Sequence, residues 1–180
     1  MYKYKTLFVF VTTLCSLLPA LLYSQVDTTW VRRYNGPSGT GGDYASAMAV
    51  DGAGNVYVTG RSSNGANYDY ATVKYNAAGD TLWVRRYNGP GNGADYAYAI
   101  KVDSTGNVYI TGQSSGGAAP GTGNDYATIK YNTAGDTLWV RRYNGPLGTG
   151  ADVASAMAVD GAGNVYVTGN SNSGASWHRL

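Results

Sequence analysis

The chain has 180 residues, with 13 Lys and Arg, 11 Asp, no Glu, one Cys, 26 Gly and 17 Tyr. Asp and Gly favour turns and Tyr favours strands, so this composition argues against a mainly helical protein. The net charge of +2 comes from Lys3 and Lys5, and the balance of the remaining charges excludes an electrostatic case for binding nucleic acid.

Residues 1–24 have the pattern of a secretory signal peptide. Lys3 and Lys5 precede an apolar run from Leu7 to Leu22, and Ser24 is a small residue suited to cleavage. A membrane anchor is the alternative, because a spanning helix needs about 20 apolar residues. Cleavage is favoured by Pro19 within the run and by the absence of basic residues directly after it. We therefore expect an exported protein, secreted or at the cell surface, with no stable membrane span after cleavage.

The single cysteine, Cys15, lies within this leader. Leu14 stands before it, where a lipoprotein signal has a small residue, so lipidation is disfavoured. The mature chain is therefore expected to contain no disulfide and no thiol chemistry.

The octapeptide Trp-Val-Arg-Arg-Tyr-Asn-Gly-Pro occurs three times without change, starting at Trp30, Trp83 and Trp139. The intervals are 53 and 56 residues. Periods of this size indicate supersecondary units that bury their apolar faces by stacking on copies of themselves.

Four segments recur around the octapeptide, and each has the pattern of a strand. Small and larger apolar residues alternate in the first, which predicts a buried strand, and β-branched and aromatic residues dominate the second. The fourth contains the octapeptide's Trp, Arg and Tyr residues. The segments and their copies are 44–51, 96–103 and 153–160; 55–60, 107–112 and 164–169; 68–76 and 124–132; and 81–88, 29–35 and 137–144.

Short turns of constant length join the first strand to the second and the third to the fourth. Asp51–Asn55 and Asn76–Asp80 are examples, with Gly available for positive φ. Length varies only in the Gly-rich segment after the fourth strand and in the loop 112–124, which is longer than its counterpart 60–68. Loops that change length are expected on an exposed face.

These segments, in the order DYATVKYNAAGDTLWVRRYNG and DYAYAIKVDSTGNVYITG, resemble the bacterial SBBP repeat of seven-bladed β-propellers, over residues 27–175. The resemblance implies an all-β array of tandem four-stranded antiparallel blades, with the first strand innermost and the octapeptide strand outermost. We expect the array at 25–175, with blades at about 43–88 and 95–144, a partial blade at 152–175 and a divergent tail at 176–180. About two full blades and parts of two others predict a fragment of a larger propeller, or chains that associate through open blade edges.

No segment has the spacing of a catalytic motif, and we expect no catalytic residues, no metal and no cofactor. His178 is the only histidine and lies in the divergent tail. The Asp residues recur at equivalent positions, whereas a catalytic pair is needed once. The Asp-x-x-Gly-Asn turns could offer oxygen ligands to Ca²⁺, but they lack the dense acidic pattern of a calcium loop. Turn capping is therefore the favoured role of Asp51, Asp103 and Asp160.

Tyr68, Trp83 and Arg85 are the candidate ligand contacts, through stacking on a sugar or pairing with an anion. The alternative is structural, because the aromatic residues can join one blade to the next and the arginines can pair with Asp. Adjacent arginines of one strand point to opposite faces, which favours the structural role for the doublets.

We predict a non-enzymatic scaffold or interaction module that is secreted or displayed at the cell surface, with an unidentified protein or glycan as partner. The first alternative is an extracellular carbohydrate-binding module that uses exposed aromatic residues. A polysaccharide hydrolase or lyase is the weaker alternative, because no one-off catalytic constellation accompanies the repeats.

Overall fold

The computed structural model describes residues 28–116, 123–145, 150–172 and 177–179. The predicted signal peptide lies outside these residues. Residues 32–180 form one compact unit, and residues 1–31 form another, of which only 28–31 are described and lie outside any strand.

Eleven strands make up the described secondary structure, and they are arranged in three antiparallel sheets. The first sheet has the order β1-β2-β3-β4, the second β5-β6-β7-β8, and the third β11-β10-β9. The predicted fold, an incomplete array of tandem four-stranded antiparallel sheets, is confirmed. The strands are β1 (Asp43–Val50), β2 (Val56–Ser63), β3 (Tyr68–Tyr75), β4 (Thr81–Tyr87), β5 (Asp95–Val102), β6 (Val108–Ser115), β7 (Asn124–Tyr131), β8 (Thr137–Tyr143), β9 (Val153–Val159), β10 (Val165–Asn172) and β11 (Trp177–Arg179).

The sheets stack in chain order, and their closest backbone approach involves the first strands. β1 lies near β5, and β5 lies near β9. The main core fills the space between the first and second sheets and includes Tyr57, Tyr70, Trp83, Ile110 and Ile129. Ile110 is fully buried, which is worth about 1.5–3 kcal/mol relative to an exposed side chain.

The prediction that the first strand of each repeat is buried is wrong for β1. Met48 and Val50 are 63% and 58% exposed, whereas nearly every residue of β3 is buried. β1 is the edge strand of its sheet, and β5 is the strand of the next sheet that approaches it. The same segment in the second sheet lies between β1 and β9, and Ala97 and Ile100 are buried there.

Each first strand contains a β-bulge, opposite the Thr-Gly pair of the second strand. In β1 the register shifts between Ala45 and Ala47, and Gly60 pairs with Ala45. A Cβ added at Gly60 would overlap the carbonyl oxygen of Tyr44. The bulge therefore requires glycine at this position, and it turns the start of β1 relative to the rest of the strand.

The two ends of the array differ from the prediction. Residues 29–35, predicted as an outer strand, lie outside any strand. The other two copies of this segment pair with the third strand of their own sheet. In the divergent tail, by contrast, β11 pairs antiparallel with β10 on the side opposite β9, in the place that β3 and β7 occupy.

Candidate functional site

The connections between strands divide into two edges of the sheets. One edge carries the turns of constant length that follow the first and third strands, and we call it the constant-turn edge. The other carries the loops between second and third strands and between successive sheets, and we call it the variable-loop edge. Its described residues are 36–42, 64–67, 88–94, 116, 123, 144–145 and 150–152.

The Asp residues that follow the first strands accept hydrogen bonds within their own turns. The Asp51 carboxylate accepts bonds from the backbone N–H groups of Ala53 (3.0 Å) and Asn55 (2.9 Å), the Asn55 side chain (2.8 Å) and the Tyr57 hydroxyl (2.9 Å). Burial alone would raise the pKa of Asp51, but the bonds from Asn55 and Tyr57 outweigh it and lower that pKa. The predicted role in turn capping is confirmed.

The same balance lowers the pKa of Asp103, where burial opposes the bonds from Asn107, Thr105 and Tyr109. These turns border an open cleft of about 790 Å³ between the first and second sheets. Because the lone pairs of Asp51 and Asp103 are already taken, the cleft offers few free acceptors to a ligand.

Trp83 and Arg85 point to the next sheet, and contacts with its turn occupy both side chains. The Trp83 indole N–H donates to the Thr133 carbonyl (3.1 Å), and its ring is 8% exposed, with the Tyr131 ring centroid 6.1 Å away. Arg85 donates to the carbonyls of Gly135 (2.6 Å) and Ala134 (3.2 Å). Both residues therefore contribute to packing between sheets.

The second arginine of the octapeptide points into its own sheet. Arg86 pairs with Asp69 at 2.9 Å and also donates to the Ser62 hydroxyl and carbonyl. Burial would lower the pKa of Arg86, but the bonds with Tyr34 and Asp69 raise it. Arg142 and Asp125 repeat the pair at 2.8 Å in the second sheet. The predicted pairing of these arginines with Asp is confirmed.

The Gly of each octapeptide is bonded to the Asp that begins the next sheet. The backbone N–H groups of the three glycines donate to the carboxylates at 2.9, 2.8 and 2.7 Å. The Gly therefore has a structural role, as do the Trp and both Arg residues of the second octapeptide. The bonded pairs are Gly36–Asp43, Gly89–Asp95 and Gly145–Asp152.

The variable-loop edge contains a cluster of aromatic rings around one cation. The guanidinium of Arg61 lies 4.4 Å from the ring centroid of Tyr44, 4.8 Å from that of Tyr96 and 5.4 Å from that of Tyr68. The Tyr68 ring is itself 6.1 Å from Tyr44 and 6.0 Å from Tyr96. We call these four residues the Arg61–tyrosine cluster. It joins the first sheet to the start of β5.

Strand register brings the members of the cluster together. Tyr44 pairs directly with Arg61 between β1 and β2, and Tyr68 is the first residue of β3. Gly42 provides room for the Tyr44 ring, because an added Cβ would lie 2.5 Å from it. Tyr44 is 50% exposed, so the cluster opens to solvent.

Arg61 differs from Arg85, Arg86 and Arg142 because no acceptor in the described part of the chain bonds its guanidinium. Its Nε is buried and has no hydrogen-bond partner. Tyr98, on β5, is also close enough to sense this cation: burial raises the pKa of Tyr98, and Arg61 partly opposes the rise. The cluster is thus a cation held by ring faces, with N–H donors left to use.

Of the three candidate ligand contacts, Tyr68 lies in this cluster, and Trp83 and Arg85 lie between the sheets. The sequence reasoning missed Arg61, Tyr44 and Tyr96. A signal for them exists in the aligned repeats, where Arg61 corresponds to Gln113 and Asn170. Charge at this position occurs in one copy, which marks the first repeat as different.

The residues that the structure describes include no group of three or more His, Cys, Asp or Glu side chains arranged to hold a metal ion. They also include no helix of the length and apolar character needed to cross a membrane.

Comparison with known proteins identifies the repeats. The sequence model of the SBBP family, described as a beta-propeller repeat, matches residues 29–69, 82–117 and 138–174. No curated protein matches the chain. The three matches cover most of the chain, and the chain belongs to the SBBP beta-propeller repeat family.

Proposed function

We propose that this protein is an exported, non-enzymatic interaction module that binds its partner through the variable-loop edge. One observation supports the proposal above all: differences between the repeats gather at that edge. The loop lengths and the identity of residue 61 vary there, while the opposite edge keeps its turns and its bonded Asp residues. Binding residues are commonly placed on variable loops that a rigid scaffold positions.

A matched pair of substitutions tests which edge binds. Ala66 and Ala53 are both exposed turn residues whose backbone N–H groups donate to the side chain two residues earlier, Asn64 and Asp51 respectively. Ala66→Gln adds bulk to the variable-loop edge, and Ala53→Gln adds the same bulk to the constant-turn edge. The purified protein and both variants are applied to an array of extracellular polysaccharides and surface proteins. Signals reduced by Ala66→Gln alone support the proposal, and signals reduced by Ala53→Gln alone contradict it.

Carbohydrate binding is the more specific candidate, and the Arg61–tyrosine cluster favours it. The half-exposed Tyr44 ring beside the Arg61 guanidinium combines a stacking surface with a charged hydrogen-bond donor. Release of reducing ends from any bound polysaccharide would instead favour the hydrolase or lyase alternative, and unsaturated products would indicate a lyase.

Export is proposed from the leader sequence. Fusion of residues 1–24 to a reporter enzyme tests it in a bacterial host. We expect the reporter outside the cytoplasm, with the leader removed. A reporter that remains in the membrane with the leader attached would support the anchor alternative.

Self-association through open sheet edges is a further part of the proposal. β4 and β8 each pair on one side with a described strand, and such strands can pair with another chain. Light scattering over a range of concentrations is expected to show a mass that rises with concentration. A constant monomer mass would contradict self-association and leave the proposal for the variable-loop edge intact.

A further inference from the structure

We propose that the Arg61–tyrosine cluster binds the carboxylate of an acidic sugar unit in a polysaccharide. This inference rests on the carbohydrate-binding function proposed above and adds the charge of the ligand and the residue that reads it. The cluster is formed once in the described residues, because Gln113 and Asn170 replace the arginine in the other repeats.

The first argument is the state of the Arg61 guanidinium. A guanidinium has five N–H donors in a planar fork that matches a carboxylate. Arg86 uses its donors on Asp69, Ser62 and Tyr34. Arg61 has ring contacts instead, and no described residue accepts a hydrogen bond from its guanidinium. Its Nε is buried, so a carboxylate would bond the terminal N–H groups and supply the opposite charge.

The second argument is that the cation is already positioned. Tyr44 and Tyr96 lie 4.4 and 4.8 Å from its centre. Contacts with ring faces hold an arginine while leaving its in-plane N–H groups available. Little side-chain entropy would then be lost on binding, because the guanidinium does not have to be ordered by the ligand.

The third argument concerns the ligand's remaining atoms. The loops beside the cluster consist of small and polar residues, with sequences GPSGTGG at 36–42, NGAN at 64–67 and NGPGNGA at 88–94. Protein partners are usually anchored by buried aromatic or aliphatic side chains, and these loops provide no apolar recess built from large side chains. Amides and hydroxyls of the loops suit the hydroxyl groups of a sugar, and the exposed Tyr44 ring suits its apolar face.

The test compares polygalacturonate with its methyl ester, which has the same backbone without the charge. A neutral glucan and poly-aspartate complete the set of probes, and dissociation constants are measured by titration calorimetry. The variant is Arg61→Gln, which gives the first repeat the residue that the second repeat has at the corresponding position, Gln113. The control is Arg141→Gln, which makes the same change of charge at an exposed arginine of β8. Unchanged thermal unfolding would show that both variants are folded.

We expect polygalacturonate to bind at least about tenfold more tightly than its ester, since a charge-assisted hydrogen bond contributes about 1.5–3 kcal/mol. Arg61→Gln should remove this preference, and Arg141→Gln should leave the affinity within about twofold, because exposed charge pairs contribute little.

Equal affinity of the native protein and Arg61→Gln for polygalacturonate would overturn the inference. Binding of the neutral glucan or the ester alone would overturn it and leave the carbohydrate-binding function standing. Tighter binding of poly-aspartate than of polygalacturonate would overturn the inference and indicate that the ligand is an acidic peptide. Binding of none of the polysaccharides would contradict the carbohydrate-binding function and the inference together.

Discussion

The second and third octapeptides have the same sequence and occupy the same place in their sheets, yet their surroundings differ. Trp83 is packed between its own sheet and the turn of the next, with the rings of Tyr57 and Tyr131 both 6.1 Å away. Trp139 contacts the Tyr109 ring of its own sheet at 6.2 Å and is only partly buried. The comparison separates contacts within a sheet, which both copies make, from contacts between sheets, which depend on the next turn.

The largest difference is expected for loss of the tryptophan ring. Trp83→Ala should lower the free energy of unfolding by about 3–5 kcal/mol, because it empties a buried site. Trp139→Ala should cost about 1–2 kcal/mol, because a partly exposed ring loses fewer contacts. Urea unfolding followed by far-ultraviolet circular dichroism measures both. Equal losses would show that the turn of the second sheet, which packs on Trp83, does not stabilise the second octapeptide.

Contacts within a sheet should show no such asymmetry. Arg86→Gln and Arg142→Gln each leave a mostly buried Asp without its cation, and the two pairs have equal exposure. Each substitution should lower the free energy of unfolding by about 2–3 kcal/mol. This loss is small for the breaking of a buried ion pair, because the arginines are partly exposed. The same urea experiment checks this, with the double variants Arg86→Gln/Asp69→Asn and Arg142→Gln/Asp125→Asn as controls. A difference above about 1 kcal/mol between the two sheets would contradict the separation of contacts.

The first arginine of the octapeptide should again distinguish the two copies, at smaller scale. Arg85 donates to two carbonyls of the next turn, whereas Arg141 bonds the carbonyl of its neighbour Val140 at 3.0 Å. Arg85→Gln should cost about 1–2 kcal/mol, since it leaves carbonyls with fewer donors. Arg141→Gln should stay within about 0.5 kcal/mol, as is usual for an exposed position. The midpoints of thermal unfolding of the two variants are compared. Equal midpoints would contradict the expected difference between Arg85 and Arg141.

The smallest effect is expected from pH at the constant-turn edge. Hydrogen bonds lower the folded-state pKa values of Asp103 and Asp160 despite any burial. Each carboxylate therefore adds stability that is present above its unfolded pKa, about 3.9, and is lost as the pH falls through the folded pKa. Asp103→Asn should flatten the fall in stability below pH 4 more than Asp160→Asn, because Asp103 has an additional bond from the Thr105 hydroxyl at 2.7 Å.

Urea unfolding at several pH values between 2 and 6 records this difference. The variant Thr105→Ala gives the second turn the Ala that the third has at position 162, and it should bring the two slopes together. A steeper slope for Asp103→Asn than for the native protein would contradict the direction of the pKa shift.

Much of the fold follows from the repeat itself. The repeated segments predicted the turns directly, because local hydrogen bonds such as those of Asp51 and Asp103 decide them. They predicted the octapeptide strand in the two copies that pair with a third strand, and not in the first copy. Burial was harder to predict, because it depends on which neighbour a sheet has. β1 and β5 have similar sequences and opposite exposure for this reason.

The Arg61–tyrosine cluster was partly predictable. Tyr68 was identified from its aromatic ring, but its partners come from β1, β2 and β5, and their meeting depends on register and on the bulge in β1. Sequence comparison of near-identical repeats also emphasises the residues that they share. The cluster depends on Arg61, which the other repeats do not share. The pairing of β11 was unpredictable, since its sequence has no likeness to β3 or β7.

The bond from each octapeptide Gly to the following Asp closes a loop at its two ends. The bonded residues are 7, 6 and 7 positions apart, and the sequences between them differ. Because the ends are fixed, residues between them can be inserted or replaced without changing how one sheet follows the next. This arrangement makes the chain a natural scaffold for diversification. Evolution, or a designed library, can change what one edge recognises while the stacking of the repeats is inherited intact.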